Sequence, residues 1–268
     1  MSMGGDRMPN GYVAIDDALI RRFANFTRLS ESEVGALGAL TGGRSRTKPA
    51  RQDLIREGDS PRTVFLLKGG WACRYKTLDD GRRQCLGFLI AGDLCDYQSH
   101  VLGHMDHSIG SITPVEYVEI GHDRIEQVVA RYPLLARAFW WQALTSASAQ
   151  REWAINLGQR SALERIAHLF CELFLRLQSI GMTSGNRCDM PITQMDIAEA
   201  TGLTSVHVNR TLQEMRANGL IMLKERVLEI PDLSALLDSA MFSRGYLHLG
   251  RNRPPGARPV SLLEHGAQ

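Results

Sequence analysis

The sequence predicts an α+β protein: a small antiparallel barrel or jelly roll, then a long helix, then a small helical domain ending in a β-hairpin. Three observations predict it. From about Arg44 to His122, short apolar runs are separated by glycine-bearing turns. From Pro133 to Leu157, apolar residues recur at spacings of three and four. After residue 192, two short capped helical patterns flank a glycine and precede two apolar runs split by charges.

The elements follow in order. Residues 1–11 read as a flexible start. Two short helical patterns come next, the second opening at Leu29-Ser30-Glu31-Ser32-Glu33, where Ser30 and Glu33 have the spacing of a capping box. The roll is marked by the turns Glu57-Gly58-Asp59, Lys68-Gly69-Gly70, Asp79-Asp80-Gly81 and Ala91-Gly92-Asp93. Between them lie strands at Val64–Leu67, Trp71–Lys76 and Gln84–Ile90, and Val115–Ile120 alternates with period two. Asp-Asp-Gly between two such runs signals a hairpin, and many short strands with regular turns read as a small closed antiparallel fold.

In the long helix, Ala136, Phe139, Ala143, Ala147, Gln150, Ala154 and Leu157 fall on one stripe. Alanines there allow two helix backbones to approach, with Gln150 as a polar residue that sets register. Packing of the helix on its own roll is the alternative. Ser161 with Glu164 caps the next helix, which runs to Gly181, and a loop from Met182 to Met190 follows. The residues from 249 onward, rich in proline, glycine and arginine, read as a disordered tail.

Residues 192–221 carry the chemistry. Thr193 caps a first helix with Asp196 three residues on, Gly202 supplies the positive φ of a sharp turn, and Thr204 caps a second helix. Val208, Leu212 and Met215 share one face of that helix. Ser205, Val206, His207, Asn209, Arg210 and Gln213 occupy the other. A helix packed on one side and offering hydrogen-bonding groups on the other is built to enter a DNA major groove. Arg210 suits bidentate bonding to guanine and Asn209 to adenine, while Ser205 and Gln213 suit phosphate or base contacts. Leu220–Leu223 and Val227–Ile230 read as a wing whose tip brings Lys224 to phosphate. The DNA-facing set is therefore Thr193, Thr204, Ser205, Val206, His207, Asn209, Arg210, Gln213 and Lys224.

Composition sets limits. A hydrophobic fraction of 44% with 22% charged residues is that of a globular chain, and a net charge of +2 does not mark a nucleic-acid binder, so DNA binding rests on particular residues. No apolar run approaches the ~20 residues of a membrane helix, and the start lacks the apolar core of a signal peptide. The expectation is a cytoplasmic protein without a membrane. Five cysteines, at 73, 85, 95, 171 and 188, form no CxxC pair, which suits a reducing compartment. Cys73, Cys85 and Cys95 alternate with apolar residues and read as buried thiols, with redox sensing as the alternative.

From about Arg51 to Ile230 the chain resembles the CRP/FNR family of bacterial transcription regulators. The resemblance rests on Glu57-Gly58-Asp59, Phe65–Gly69, Asp80-Gly81 and Gly92-Asp93 in the roll, on the helix and hinge from Pro133 to Ile166, and on the winged helix-turn-helix. It implies a β-roll sensor domain over 12–129, a dimerisation helix over 130–160, a winged helix-turn-helix over 161–240 and a tail over 249–268. It further implies double-stranded DNA bound by a homodimer at an inverted repeat, and RNA polymerase as a partner.

The departures from the family pattern bear on the effector. Where cAMP-binding members carry Gly-Glu and Arg-Ser, this chain has Asp96-Tyr97 and His107-Ser108; their helix Thr-Ser falls at Gln150-Arg151. An acid is added and the phosphate-neutralising arginine is lost, so cAMP in the usual mode is not expected. Arg151 remains a candidate for another anion. No cysteine precedes Cys73, which excludes the N-terminal iron–sulfur cluster of oxygen-sensing members. His100, His104 and His107 are weak metal or haem candidates; solvated loop histidines are the alternative. Val206 stands where many members have a glutamate, so the half-site should keep the guanine and differ at the glutamate-read base. Two competing readings are a regulator with a purely structural roll and a cupin-type metalloenzyme.

Overall fold

The computed structural model describes residues 17–97 and 99–250, with the backbone alone for Ser99 and His100. Eight strands make the roll: β1 (Ser45–Lys48), β2 (Asp53–Ile55), β3 (Thr63–Gly69), β4 (Ala72–Thr77), β5 (Arg83–Leu89), β6 (Leu94–Cys95), β7 (Ser108–Ser111) and β8 (Val115–Gly121). They form two four-stranded antiparallel sheets of order β1-β8-β3-β6 and β2-β7-β4-β5. The β4–β5 hairpin closes at Asp80-Gly81, with Thr77 opposite Arg83 and Gly81 at φ 85°. The strands longest in sequence are those the alternation foretells. β1, β2, β6 and β7, of two to four residues each, are too short to show a period.

Alternation along β3 shows how the roll is covered on both sides. Leu67 points between the sheets with Ile55, Leu89, Ile109 and Val115. Val64 and Leu66 point outward onto helices α1 (Ala18–Ala24), α2 (Glu31–Thr41), α4 (His122–Arg131) and the start of α5 (Pro133–Gln159), while the single turn α3 (Ser99–Leu102) lies between β6 and β7. The capping box Ser30–Glu33 at α2 is formed with both bonds. Gly92, at φ 81°, lies so close to the first turn of α1 that a Cβ would sit 2.7 Å from Ala18 backbone. The outer face of the second sheet, with Trp71, Cys73, Cys85 and Phe88, packs on α6 (Ala162–Ser179) and the C-terminal helices.

That shared core spans segments that the sequence expectation assigns to the sensor, the long helix and the DNA-binding part. The Ser161–Glu164 capping box opens α6 as expected. A short extended hinge at Arg160 and Ser161 folds α6 back, so that it buries Phe170 and Phe174 in the same cluster as Phe88 and Trp153 of α5.

The remaining elements are β9 (Arg187–Asp189), α7 (Gln194–Thr201), α8 (Ser205–Ala217), β10 (Met222–Lys224), β11 (Val227–Glu229), α9 (Leu233–Ser239) and a 3-10 turn, Arg244–Leu247. The loop expected from Met182 to Met190 contains β9, which adds a third strand to the wing in the order β10-β11-β9. Three residues carry no sequence period, and pairing with β11 alone makes them a strand. The expected tail from 249 lies outside the described residues except for Leu249 and Gly250, and Leu249 packs beside Tyr246 and Leu247.

The stripe expected on α5 is corrected. Phe139 is 1% exposed and stacks edge-on against Phe23, so it faces the protein's own roll. Gln150 donates to the Leu86 carbonyl at 2.6 Å and ties α5 to β5. The ridge left uncovered is rotated by roughly one residue: Trp140, Leu144 and Ile155 are 61%, 63% and 49% exposed, with Ala147 and Ala154 between them. Covering the roll took one edge of the apolar stripe, and the adjoining edge stayed outside.

Candidate nucleic-acid interface

Local chemistry sets the helix pair. Thr193 and Asp196 form a reciprocal capping box at α7. Gly202 ends that helix at φ 66°, a left-handed conformation that only glycine adopts without strain, and Thr204 caps α8 by accepting from the His207 N–H. Val208, Thr211, Leu212 and Met215 bury one face of α8, each apolar member contributing about 1.5–3 kcal/mol.

On the other face, Val206 is 79% exposed, and Asn209, Arg210 and Gln213 are exposed as well. Ser205 and His207 are half-buried at the helix start. Gln213 donates to Asn209 Oδ1 at 3.0 Å, and Asn209 donates to Gln194 Oε1 at 3.2 Å. Arg210 has neither an ion pair nor a side-chain hydrogen bond among the described residues, so its guanidinium is free for an external acceptor. The wing turns tightly at Glu225 and Arg226, φ 51° and 64°, and projects Lys224 into solvent with Glu225 3.6 Å away.

A cleft of about 380 Å³ lies between the roll and α5, lined by Asp96, Tyr97, His104, His107, Gln150 and Arg74 among others. It gathers four of the six candidate effector residues. Ser108 is instead buried, accepting from the Glu57 N–H, and Arg151 is exposed outside the cleft. Tyr97 donates to the Phe139 carbonyl. Arg74, which the sequence reading missed, brings a guanidinium into the cleft from β4 and bonds Asp96 at 2.8 Å, while His107 approaches the same carboxylate at 3.1 Å. Burial opposes the Asp96 charge, but Arg74 and His107 outweigh it and hold its pKa far below the usual carboxylate range. Burial likewise opposes charge on His107, yet Asp96 and Asp106 raise its pKa. Both ring nitrogens of His107 therefore face carboxylates. Among the described residues no three histidine, cysteine or acidic side chains converge on a metal position.

Two family profiles match the chain: a cyclic nucleotide-binding domain over residues 45–132 and a Crp-like helix-turn-helix domain over 164–239. The transcriptional activator protein FnrL of Cereibacter sphaeroides is 26% identical over 84% of this chain and 90% of its own length. The nitrogen fixation regulation protein FixK of Bradyrhizobium diazoefficiens is 28% identical over 80% and 87%. Among solved structures, FixK2 from Bradyrhizobium japonicum superposes with a TM-score of 0.67 at 20% identity, covering 75% of this chain and 98% of that one. The chain belongs to the CRP/FNR family of transcription regulators. It is a DNA-binding regulator, and no described helix is long and apolar enough to cross a membrane.

Within this CRP/FNR regulator, the helix-turn-helix is held against the roll by contacts that no local pattern announces. Arg51 reaches Asp196 with both guanidinium nitrogens, at 2.5 and 2.8 Å. Gln84 donates to the Glu199 carbonyl at 2.6 Å, and Arg83 lies 3.5 Å from the Glu199 carboxylate. Burial opposes the Asp196 charge, but Arg51 and Thr193 overcome it and lower its pKa. Arg51 has a positive φ of 62°, an unusual backbone for a non-glycine residue, and no pattern in the sequence marks it. Beneath these contacts the buried cysteines divide. Cys171 and Cys188 are each pushed up to about 12 by burial. Cys73 moves the other way, lowered by a hydrogen bond with Cys85 and by the Arg83 guanidinium against the effect of burial.

Proposed function

We propose that this regulator acts in the cytoplasm as a homodimer, reading an inverted-repeat operator with α8 and engaging RNA polymerase there. The observation that carries the reading is the division of α8: one face is buried in the core, and the other leaves Arg210 exposed and, among the described residues, unpaired. Arg210 and Asn209 read base edges, Thr193, Thr204, Ser205 and Gln213 hold phosphate or base positions, and Lys224 holds the flanking backbone. Half-site centres about 34 Å apart follow from two-fold symmetry. The uncovered ridge from Trp140 to Ile155 supports pairing of two copies along α5.

The effector differs from cAMP. The one arginine among the described residues of the cleft, Arg74, is already neutralised by Asp96, and no second guanidinium stands at the position of His107 to receive a cyclic phosphate. Selection of bound sequences from random duplex DNA tests the proposal, using protein as purified and protein stripped of small molecules. An enriched palindrome containing a guanine in each half-site is expected. Enrichment of single, unpaired half-sites, or no enrichment at all, would contradict it.

A further inference from the structure

Where β5 packs against α7, the β4–β5 hairpin holds two cysteines in contact. Tyr75 stands opposite Cys85 in the ladder, and Cys73 lies two residues further along β4, across the bulge between Arg74 and Tyr75. The thiols are therefore diagonal neighbours on the face that meets the shared core, and Cys85 donates a hydrogen bond to Cys73. The Arg83 guanidinium lies 3.2 Å from Cys73 Sγ and 3.8 Å over the Tyr75 ring, and it comes within 3.5 Å of the Glu199 carboxylate on α7. One cation thus touches a thiol of the roll and the first helix of the helix-turn-helix.

The five cysteines are free, and their surroundings rank them. Burial raises the pKa of Cys95, Cys171 and Cys188, which keeps those thiols protonated. At Cys73 the bond from Cys85 and the charge of Arg83 outweigh burial and the acids Asp196 and Glu199. Cys85 is raised by burial and by the same bond, so it holds its proton until Cys73 has reacted. The thiolate is the nucleophile, so Cys73 reacts first and Cys85 is its resolving partner. Both are 2% exposed, which admits only an oxidant close to water in size.

We propose that Cys73 and Cys85 are a peroxide-sensitive pair whose disulfide loosens the hold of the roll on α7. The Cys73 thiolate attacks one peroxide oxygen; an S–O bond forms, the O–O bond breaks, and the departing hydroxide takes a proton to leave as water. Cys85 sulfur then attacks Cys73 sulfur. The S–S bond forms, the S–O bond breaks, and the second hydroxide leaves as water with the Cys85 proton. Two thiols and one peroxide thus give one disulfide and two waters. Diagonal partners across an antiparallel pair lie about 7–8 Å apart, whereas a disulfide holds its Cα atoms at about 4.4–6.8 Å. Closing the bond draws β5 toward β4, and with it the two residues that hold α7. These are Arg83, which also loses the Cys73 thiolate, and Gln84, which donates to the Glu199 carbonyl.

The test treats reduced full-length protein with hydrogen peroxide or with oxidised glutathione at equal concentration. Peptide mass spectrometry without reductant and amide hydrogen exchange are the readouts. Peroxide should join the Cys73 and Cys85 peptides, lighter by two hydrogens, and dithiothreitol should separate them. Oxidised glutathione, too large for the site, should act at least about tenfold more slowly. Exchange over residues 194–201 should quicken about threefold or more in the disulfide form, while that over 122–131, on the far sheet, should not change. Cys85→Ala should stop at a Cys73 sulfenic acid that dimedone traps, and Cys73→Ala should leave Cys85 reduced. If either variant melts early, Arg83→Gln keeps both thiols and should slow Cys73 oxidation about three- to tenfold. The proposal is overturned if no Cys73–Cys85 disulfide forms, or if Cys171 or Cys188 oxidises first. Oxidation of Cys85 at full rate in Cys73→Ala, an unchanged rate in Arg83→Gln, or a disulfide that leaves exchange in α7 unaltered would overturn it equally.

Discussion

Arg210 and Asn209 sit side by side on α8, yet their surroundings separate them. Asn209 is held between Gln194 and Gln213, whereas Arg210 is unengaged among the described residues. Reading a base through Asn209 requires breaking those bonds, so Arg210 should dominate discrimination. Arg210→Ala should cost specific operator binding about 1–3 kcal/mol per half-site, with a far smaller loss on scrambled DNA. Arg210→Lys should restore the non-specific part alone, since it lacks the planar fork. Lys224→Ala should lower affinity for all sequences alike and reduce the salt slope by about one. Competition binding at two salt concentrations measures all three; an equal loss on both DNAs for Arg210→Ala would make it a phosphate clamp. In the cleft, Asp96 neutralises Arg74, so titration with cAMP should leave operator affinity unchanged. Micromolar binding that tightens the operator complex would refute that.

On α5 the helical period announced an apolar face but not which edge of it stays outside. Phe139 and Leu144 differ by little in sequence pattern and by everything in surroundings: one is 1% exposed and the other 63%. Leu144→Glu or Ala147→Glu should place like charges at the seam between two copies and shift sedimentation toward monomer, with unfolding of each chain little changed. Phe139→Ala should instead cost about 3–5 kcal/mol of stability, because it empties the contact with Phe23 and Tyr97. A dimer that survives both glutamate substitutions would place the interface elsewhere. The same division of labour holds at α7, where Thr193, Asp196 and Gly202 were readable from local spacing. Arg51, 145 residues away from Asp196, was not.

The whole molecule adds a dependence on pH. His168 on α6 is 1% exposed between Phe242 and Tyr246, and burial together with Arg160 pushes its pKa down to about 3. Its Nε2 lies 3.3 Å from Glu152 but is not aligned for a hydrogen bond, so the ring is neutral in the fold. An unfolded chain takes a proton at this residue near pH 6.5 that the native state refuses until about pH 3. Stability should therefore fall as pH drops below about 6.5, by about 1.4 kcal/mol per unit. His107 acts with the opposite sign: its raised pKa stabilises the fold at low pH, and that contribution is lost as pH rises through its folded value. Denaturant midpoints at pH 6 and pH 4.5 check this. His168→Phe should flatten the slope, and an unchanged slope would exclude His168 as its source.

Sequence by itself determined what depends on neighbours within a few residues. The capping boxes at Ser30, Ser161 and Thr193, the left-handed Gly202, the β4–β5 hairpin and the two faces of α8 all follow from bonds and periods that short. Their order along the chain was enough to place it in its family. The tertiary structure alone decided which edge of α5 is free, that β9 completes the wing, that Arg74 enters the cleft and that Arg51 and Gln84 reach α7. It also decided that the segment after α9 returns to α5. Each of these joins residues far apart in the chain. The free energy of such a contact depends on the surface that the rest of the fold leaves exposed, and no local window contains that information.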